Sequence, residues 1–261
     1  MMIDKGSGPA LVLIPGLPGP WQFFKPAVDE LAKYFRVLTL SLGPECTLDA
    51  DAARIIAGLN KRGIDRAAIC GVSLGGLIAL RFAATHQDRT AALVLASTPG
   101  PGFTLRPRHR LYTRWPWIFG PLFVLESPFN LRHELHWSQF RALLSAPVSF
   151  AKIARRAQLI EATDIAADCA KVTAPTLVVT GERAFDHVVS VDSTLEYLRA
   201  IPQSTHVELK STGHLGSVMR PHEFTAMVRT FVGDPERVAP RTDSVESESV
   251  GRPFQGRQGA A

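Results

Sequence analysis

The segment of this chain whose residue types and spacing point most directly to chemistry is Gly71-Val72-Ser73-Leu74-Gly75-Gly76. A serine with a glycine two positions to either side suits a tight strand-to-helix turn, because the glycines remove side chains that would collide there. On such a turn the N–H of Leu74 opens the following helix and points toward negative charge developing on a carbonyl oxygen. A serine hydroxyl is a poor nucleophile until a base takes its proton, so Ser73 needs an imidazole, and the imidazole needs an acid to orient it. In a chain of this composition a bare GxSxG arises by chance about once in ten sequences. Its weight therefore rests on the elements around it.

Those elements fit. The apolar run Ala67–Cys70 precedes the motif and a helical pattern over Gly75–Thr85 follows it. Ala10–Ile14, Arg36–Leu42, Ala91–Ala96, Pro175–Thr180 and His206–Leu209 are further short apolar runs ending in turn residues, the pattern of buried parallel strands. Phe23–Tyr34, Asp49–Lys61, Val191–Ala200 and Pro221–Val232 carry helical spacing; in the last, Phe224, Met227, Val228 and Phe231 fall on one face. Strands alternating with helices predict an α/β fold, a mostly parallel sheet with helices on both faces. The alternation breaks between Phe103 and Ile160, a segment without a clear strand that holds ten of the 21 aromatic residues. It is too long and apolar for an ordinary connection and reads as an inserted helical lid. The predicted organisation is a core of residues 1–102 and 161–233, a lid over 103–160, and a polar, disordered tail over 234–261.

The bulk properties set bounds. A chain of 261 residues with 46% hydrophobic residues can build one full core. No uninterrupted apolar run is long enough to span a bilayer; Trp115–Leu125 comes nearest and contains Pro116 and Pro121. Cys46, Cys70 and Cys169 are too few and too scattered for a disulfide framework and read as small buried hydrophobes. With no secretory leader pattern, a cytoplasmic protein is expected. The net charge of +5 is uneven: the lid holds nine Arg and Lys against Glu126 and Glu134. No nucleic-acid fold signature accompanies that cluster, so no nucleic-acid partner is expected. The histidines show no HxH or HExxH spacing, and there is no GxGxxG or Walker A segment, so neither a metal nor a cofactor is expected.

On these motifs the chain resembles the α/β-hydrolase superfamily over roughly residues 8–232, most of all its members with a helical cap after the sixth strand of that fold. The resemblance implies a second oxyanion donor after the first core strand. Leu13-Ile14-Pro15-Gly16-Leu17-Pro18-Gly19 matches that turn, with Leu17 as the donor and Pro15 where relatives carry histidine. The family's base follows the last strand, where Ser211-Thr212-Gly213-His214 stands. Seven other histidines compete: His86, His109, His133, His136 and His222 lie in or beside helices or the lid, His206 starts a strand, and His187 adjoins the acid candidate. Relatives carry Gly-Glu-x-Asp after the preceding strand; here Gly181-Glu182-Arg183-Ala184-Phe185-Asp186 places the Asp two residues later. Asp186 is the preferred acid, Glu182 its local rival and Asp192 a weaker one. The order Ser73…Asp186…His214 is the one this fold uses. The family's Asp-x-Arg-Gly-x-Gly is replaced by Ser41-Leu42-Gly43-Pro44-Glu45-Cys46, and the two leading strands of the family are expected to be mostly absent.

The expectation is a serine hydrolase cleaving a carboxylic ester, lactone or related acyl compound. Catalysis would use Ser73, Asp186 and His214, with the amides of Leu17 and Leu74 as the oxyanion hole. Cofactor-free haloperoxidase-like chemistry, carbon–carbon bond hydrolysis and a non-catalytic ligand receptor on the same fold stay open beside it. The lid, with Trp115-Pro116-Trp117-Ile118-Phe119, Leu122–Leu125 and Arg106, Arg108, Arg110 and Arg114 upstream, predicts an apolar acyl substrate. Weak membrane-surface contact through the same residues is the sharper alternative.

Overall fold

The computed structural model describes residues 1–117, 146 and 149–233. Seven strands form one sheet in the order β1-β3-β2-β4-β5-β6-β7. They are β1 (Met2–Lys5), β2 (Ala10–Ile14), β3 (Arg36–Leu40), β4 (Ala67–Val72), β5 (Thr90–Ala96), β6 (Thr176–Thr180) and β7 (Ser204–Glu208). All neighbours are parallel except β1 and β3. Alternation along each strand divides the core in two. Val12, Ile14, Ile69, Leu93 and Leu95 pack on one face, with side chains of α2 (Leu48–Asn60) and α3 (Leu74–Thr85). Leu11, Leu13, Cys70, Val72 and Val94 pack on the other, with those of α1 (Lys25–Leu31), α9 (Gly216–Met219) and α10 (Pro221–Gly233). The α/β architecture and its doubly covered sheet are as the pattern of runs predicts.

Several boundaries differ for physical reasons. Strand β3 stops at Leu40 because the chain turns into a loop, where Leu42 N–H donates to the Gly19 carbonyl (2.9 Å). The predicted Phe23–Tyr34 helix is a short 3-10 turn, Trp21–Phe24, followed by α1, which has Pro26 in its first turn. The Val191–Ala200 helix is two pieces, α7 (Val191–Leu195) and α8 (Tyr197–Ala200), with a tighter bond from Glu196 N–H to the Ser193 carbonyl at the junction. Strand β1 has no counterpart among the predicted elements. It has only two partly buried apolar residues, Met2 and Ile3, and is held by ladder bonds and ion pairs instead. Arg36 (2.8 Å) and Arg62 (3.0 Å) both reach Asp4. The Arg36 hydrogen bond is the main cause that holds the Asp4 carboxyl below its usual range.

Between β5 and β6 the described residues form α4 (Pro107–Arg114), α5 (Phe150–Ala162) and α6 (Ala166–Cys169). Helices α4 and α5 pack together, with Arg110 Nε donating to Glu161 (2.7 Å). Residues 118–145, 147 and 148, which include His133, His136, Trp137 and the Ile118–Leu125 run, lie outside the described residues, as does the predicted tail 234–261. Trp115 and Trp117 are exposed. Among the described residues no helix is long and apolar enough to cross a membrane. Cys70 and Cys169 are buried as expected, and burial pushes the Cys169 thiol up to about 12 and that of Cys70 higher. Cys46 departs from the expectation: it is half-buried, in a left-handed turn (φ 52°).

Candidate active site

The sheet order puts β3 on one side of β2 and β4 on the other, so the crevice at the carboxyl ends of β2 and β4 is the topological switch point where α/β sheets bind ligands. The two loops that leave these ends carry Leu17 and Ser73. Ile14 and Gly71 are paired in the ladder, which brings the loops side by side.

Ser73 occupies φ 56°, ψ −123°, a conformation costly for any residue with a Cβ. It is held there by its N–H to the Ala96 carbonyl (2.9 Å) and by its own carbonyl, which accepts from Gly76 N–H (2.8 Å). The glycines around it are sterically required. A Cβ on Gly71 would collide with the Gly75 carbonyl. One on Gly75 would stand 2.6 Å from the Pro15 oxygen and closer still to that of Ile14. Because those contacts are backbone in the central sheet, Gly75→Ala is expected to destabilise the protein by roughly 3 kcal/mol, at the upper end for overpacking. Urea unfolding checks this; a change below about 1 kcal/mol would mean that the elbow yields more easily than the geometry implies.

The N–H of Leu74, at the first position of α3, has no intrahelical carbonyl to bond. Neither it nor the N–H of Leu17 has a backbone partner among the described residues. Ser73 and Leu17 line one apolar cavity. Its walls come from the core through Pro99, Val188 and Val189, from α4 through His109 and Tyr112, and from α5 through Ile153, Ala157 and Ile160.

On the far side, the loops after β6 and β7 carry Asp186 and His214. Asp186 Oδ2 lies 3.3 Å from His214 Nδ1, while its Oδ1 accepts from the N–H groups of Val188 (3.1 Å) and Val189 (3.0 Å). Burial alone would raise the Asp186 carboxyl. The adjacent His214 and the two backbone donors outweigh it and hold the group below its usual value. The two-residue displacement is taken up by a helical turn in which Phe185 and Asp186 N–H both donate to the Glu182 carbonyl (3.0 and 3.1 Å). Glu182 faces elsewhere. Its carboxylate accepts from Ser211 N–H (2.6 Å) and so braces the His214 loop, where Ser211 adopts φ 56°. Asp192 pairs with Arg183 at the surface. Gly181 and Gly213 let the two loops approach at backbone distance, for a Cβ on Gly213 would meet the Phe185 carbonyl.

The structure thus brings Asp186 to His214, and Ser73 to Leu17 and Leu74. It shows no hydrogen bond between Ser73 and His214. Of the rival histidines, His206 bonds Thr180 (2.9 Å), His86 stacks on Phe82, and His222 meets Glu30 (2.9 Å). His109, grouped by sequence with the histidines in or beside helices or the lid, lies on the cavity wall. Arg156, counted in the sequence only as one of the lid's cations, is buried against the Leu17 turn. Its signal was its spacing: three after Ile153 and four before Ile160, it falls on the apolar face of α5. Among the described residues no three His, Cys, Asp or Glu side chains converge as metal ligands.

A parallel sheet with a serine elbow at its switch point and an Asp–His pair behind it is a hydrolase architecture. The chain belongs to the alpha/beta hydrolase family, whose sequence model matches residues 11–227. It is similar to a protein of Pseudomonas syringae named as a putative carbamate hydrolase, RutD, with 24% identity over 88% of this chain and 95% of that one. It is also similar to the pimeloyl-[acyl-carrier protein] methyl ester esterase of Aliivibrio salmonicida, with 25% identity over 87% and 94%. Among solved structures, the enol-lactonase of Burkholderia xenovorans shares the fold, with a TM-score of 0.71 and 22% identity over 90% of this chain and 96% of that one.

Proposed function

We propose that this hydrolase cleaves a carboxylic ester, lactone or related acyl compound through an acyl-enzyme. In this reading Ser73 attacks the substrate carbonyl as His214 takes its proton, and the N–H groups of Leu17 and Leu74 receive the charge that forms on the carbonyl oxygen. His214 returns the proton to the departing alcohol, then activates water to release the acid. Asp186, ionised and buried, orients the imidazole throughout. The observation that carries this reading is the Asp186–His214 pair, 3.3 Å apart, with Val188 and Val189 of the Asp186 loop lining the same cavity as the strained serine. Two relatives named for carbamate and methyl ester hydrolysis support a carboxyl-derived substrate.

The cavity wall favours an apolar acyl group. Pro99, Phe103, Leu105, Phe150, Ile153 and Val188 offer hydrocarbon contact and no charge. Each buried methylene contributes about 0.8 kcal/mol, so kcat/KM for p-nitrophenyl esters is expected to rise roughly threefold to fourfold per added carbon from acetate toward hexanoate. Measurement of that series, with alkyl fluorophosphonate labelling of Ser73, tests both parts. Absence of labelling and turnover would reject the hydrolytic assignment to Ser73. A flat or acetate-favouring profile would reject the apolar substrate.

A further inference from the structure

Arg156 is 4% exposed, and no carboxylate pairs with it among the described residues. Its guanidinium instead donates to four backbone carbonyls. Nη1 reaches those of Leu17 (3.2 Å) and Pro18 (3.0 Å), and Nη2 those of Leu42 (3.3 Å) and Gly43 (3.2 Å). A buried cation is tolerated only where a counter-ion or dipoles replace its lost water, and here four carbonyl oxygens do so. The planar fork of arginine can span two loops at once, which a lysine ammonium cannot.

We propose that Arg156 is a positioning residue of the oxyanion site, locking the Gly16–Gly19 turn so that Leu17 N–H stays available to the substrate oxygen. This rests on the hydrolytic reading above. The peptide between Gly16 and Leu17 is trans, so its C=O and N–H point in opposite directions. The Gly16 oxygen is engaged by Gly19 N–H (3.0 Å), which leaves the Leu17 N–H aimed out of the turn. Arg156 then fixes the next two carbonyls, of Leu17 and Pro18, and ties them to the loop after β3, whose Leu42 N–H donates back to Gly19. Gly19 (φ 97°) is where the guanidinium fits, because a Cβ there would overlap it. Since Arg156 belongs to α5, the donor is set only while that helix is seated over the cavity. The loop Ser41-Leu42-Gly43-Pro44 presents no basic side chain of its own to these carbonyls.

The test uses Arg156→Lys, which keeps the charge but loses the planar fork, and Arg156→Gln, which removes the charge but keeps an amide donor. Folding is read by circular dichroism. Active sites are counted by fluorophosphonate titration, and kcat and KM for p-nitrophenyl butyrate are expressed per titrated site. Affinity for an aryl trifluoromethyl ketone, whose adduct carries an oxyanion, is measured beside them. Misplacement of a donor is expected to lower kcat about 10- to 100-fold with KM within about threefold, and to weaken ketone binding in parallel. A folded variant with unchanged kcat and ketone affinity, or with its loss confined to KM, would overturn the proposal. So would loss of the fold in both variants, which would make the role purely structural. A wild-type protein that neither labels nor turns over would reject the hydrolytic reading itself and the proposal with it; an active wild type with unaffected variants rejects Arg156 alone.

Discussion

Ser73→Ala is expected to lower kcat by about 10⁶, the loss typical when the nucleophile of a triad is removed. The protein should remain folded, because among the described residues the serine side chain makes no hydrogen bond and it lines the cavity rather than the packed core. Ser73→Gly separates the chemistry from the strain. Ser73 sits at φ 56°, ψ −123°, where glycine alone is relaxed, and such residues cost about 1–3 kcal/mol. The glycine variant should be as inactive as the alanine variant yet more stable than wild type by about 1 kcal/mol, the gain being reduced by the larger entropy of the unfolded glycine chain. Hydrolysis of p-nitrophenyl butyrate and urea unfolding give the two numbers. Activity above about 1% of wild type in the alanine variant, with contaminating wild type excluded, would remove Ser73 from the nucleophile's place. A glycine variant less stable than wild type would show that the elbow is not strained.

The second large effect belongs to the proposed acid. Asp186→Asn is expected to cost about 10⁴ in kcat, because an amide presents the wrong partner to His214 Nδ1 and favours the unproductive tautomer. Glu182→Gln should cost less than about tenfold, since its contact is a backbone N–H that an amide oxygen can still accept. The reverse ranking would give the role to Glu182. Acid titration adds an independent check. The folded Asp186 carboxyl lies below its usual value, so its stabilising contribution is complete above the unfolded value of about 3.9 and is lost as pH falls through the folded value. The stability difference between wild type and Asp186→Asn should therefore persist through neutral and mildly acidic pH and shrink only in strong acid. A difference that already narrows at pH 5 to 6 would contradict an ionised, histidine-bound Asp186.

The elbow was legible because everything that makes it is local. A strand run, two glycines and a helix start lie within a few residues of Ser73, and local sterics allow few other conformations. His214 was selected from eight histidines by the strand and loop around it, and the structure sets it against Asp186. The choice between Asp186 and Glu182 was only half legible. Both stand in the right loop, and what separates them is a helical turn closed by two bonds to the Glu182 carbonyl, which swings one carboxylate inward to His214 and the other toward Ser211. Strand β1 was not legible, since an edge strand held by Asp4, Arg36 and Arg62 shows little hydrophobic pattern.

What the sequence by itself determined was the alternation of strands and helices, the two-faced sheet and the serine turn, all consequences of short-range periodicity and backbone sterics. Only the tertiary structure decided which carboxylate meets His214, that His109 faces the cavity, and that Arg156 reaches carbonyls more than a hundred residues away. The reason is physical. Periodicity tells which face of an element is buried, but a hydrogen bond between distant loops depends on how the sheet order and the helices packed on it bring those loops together.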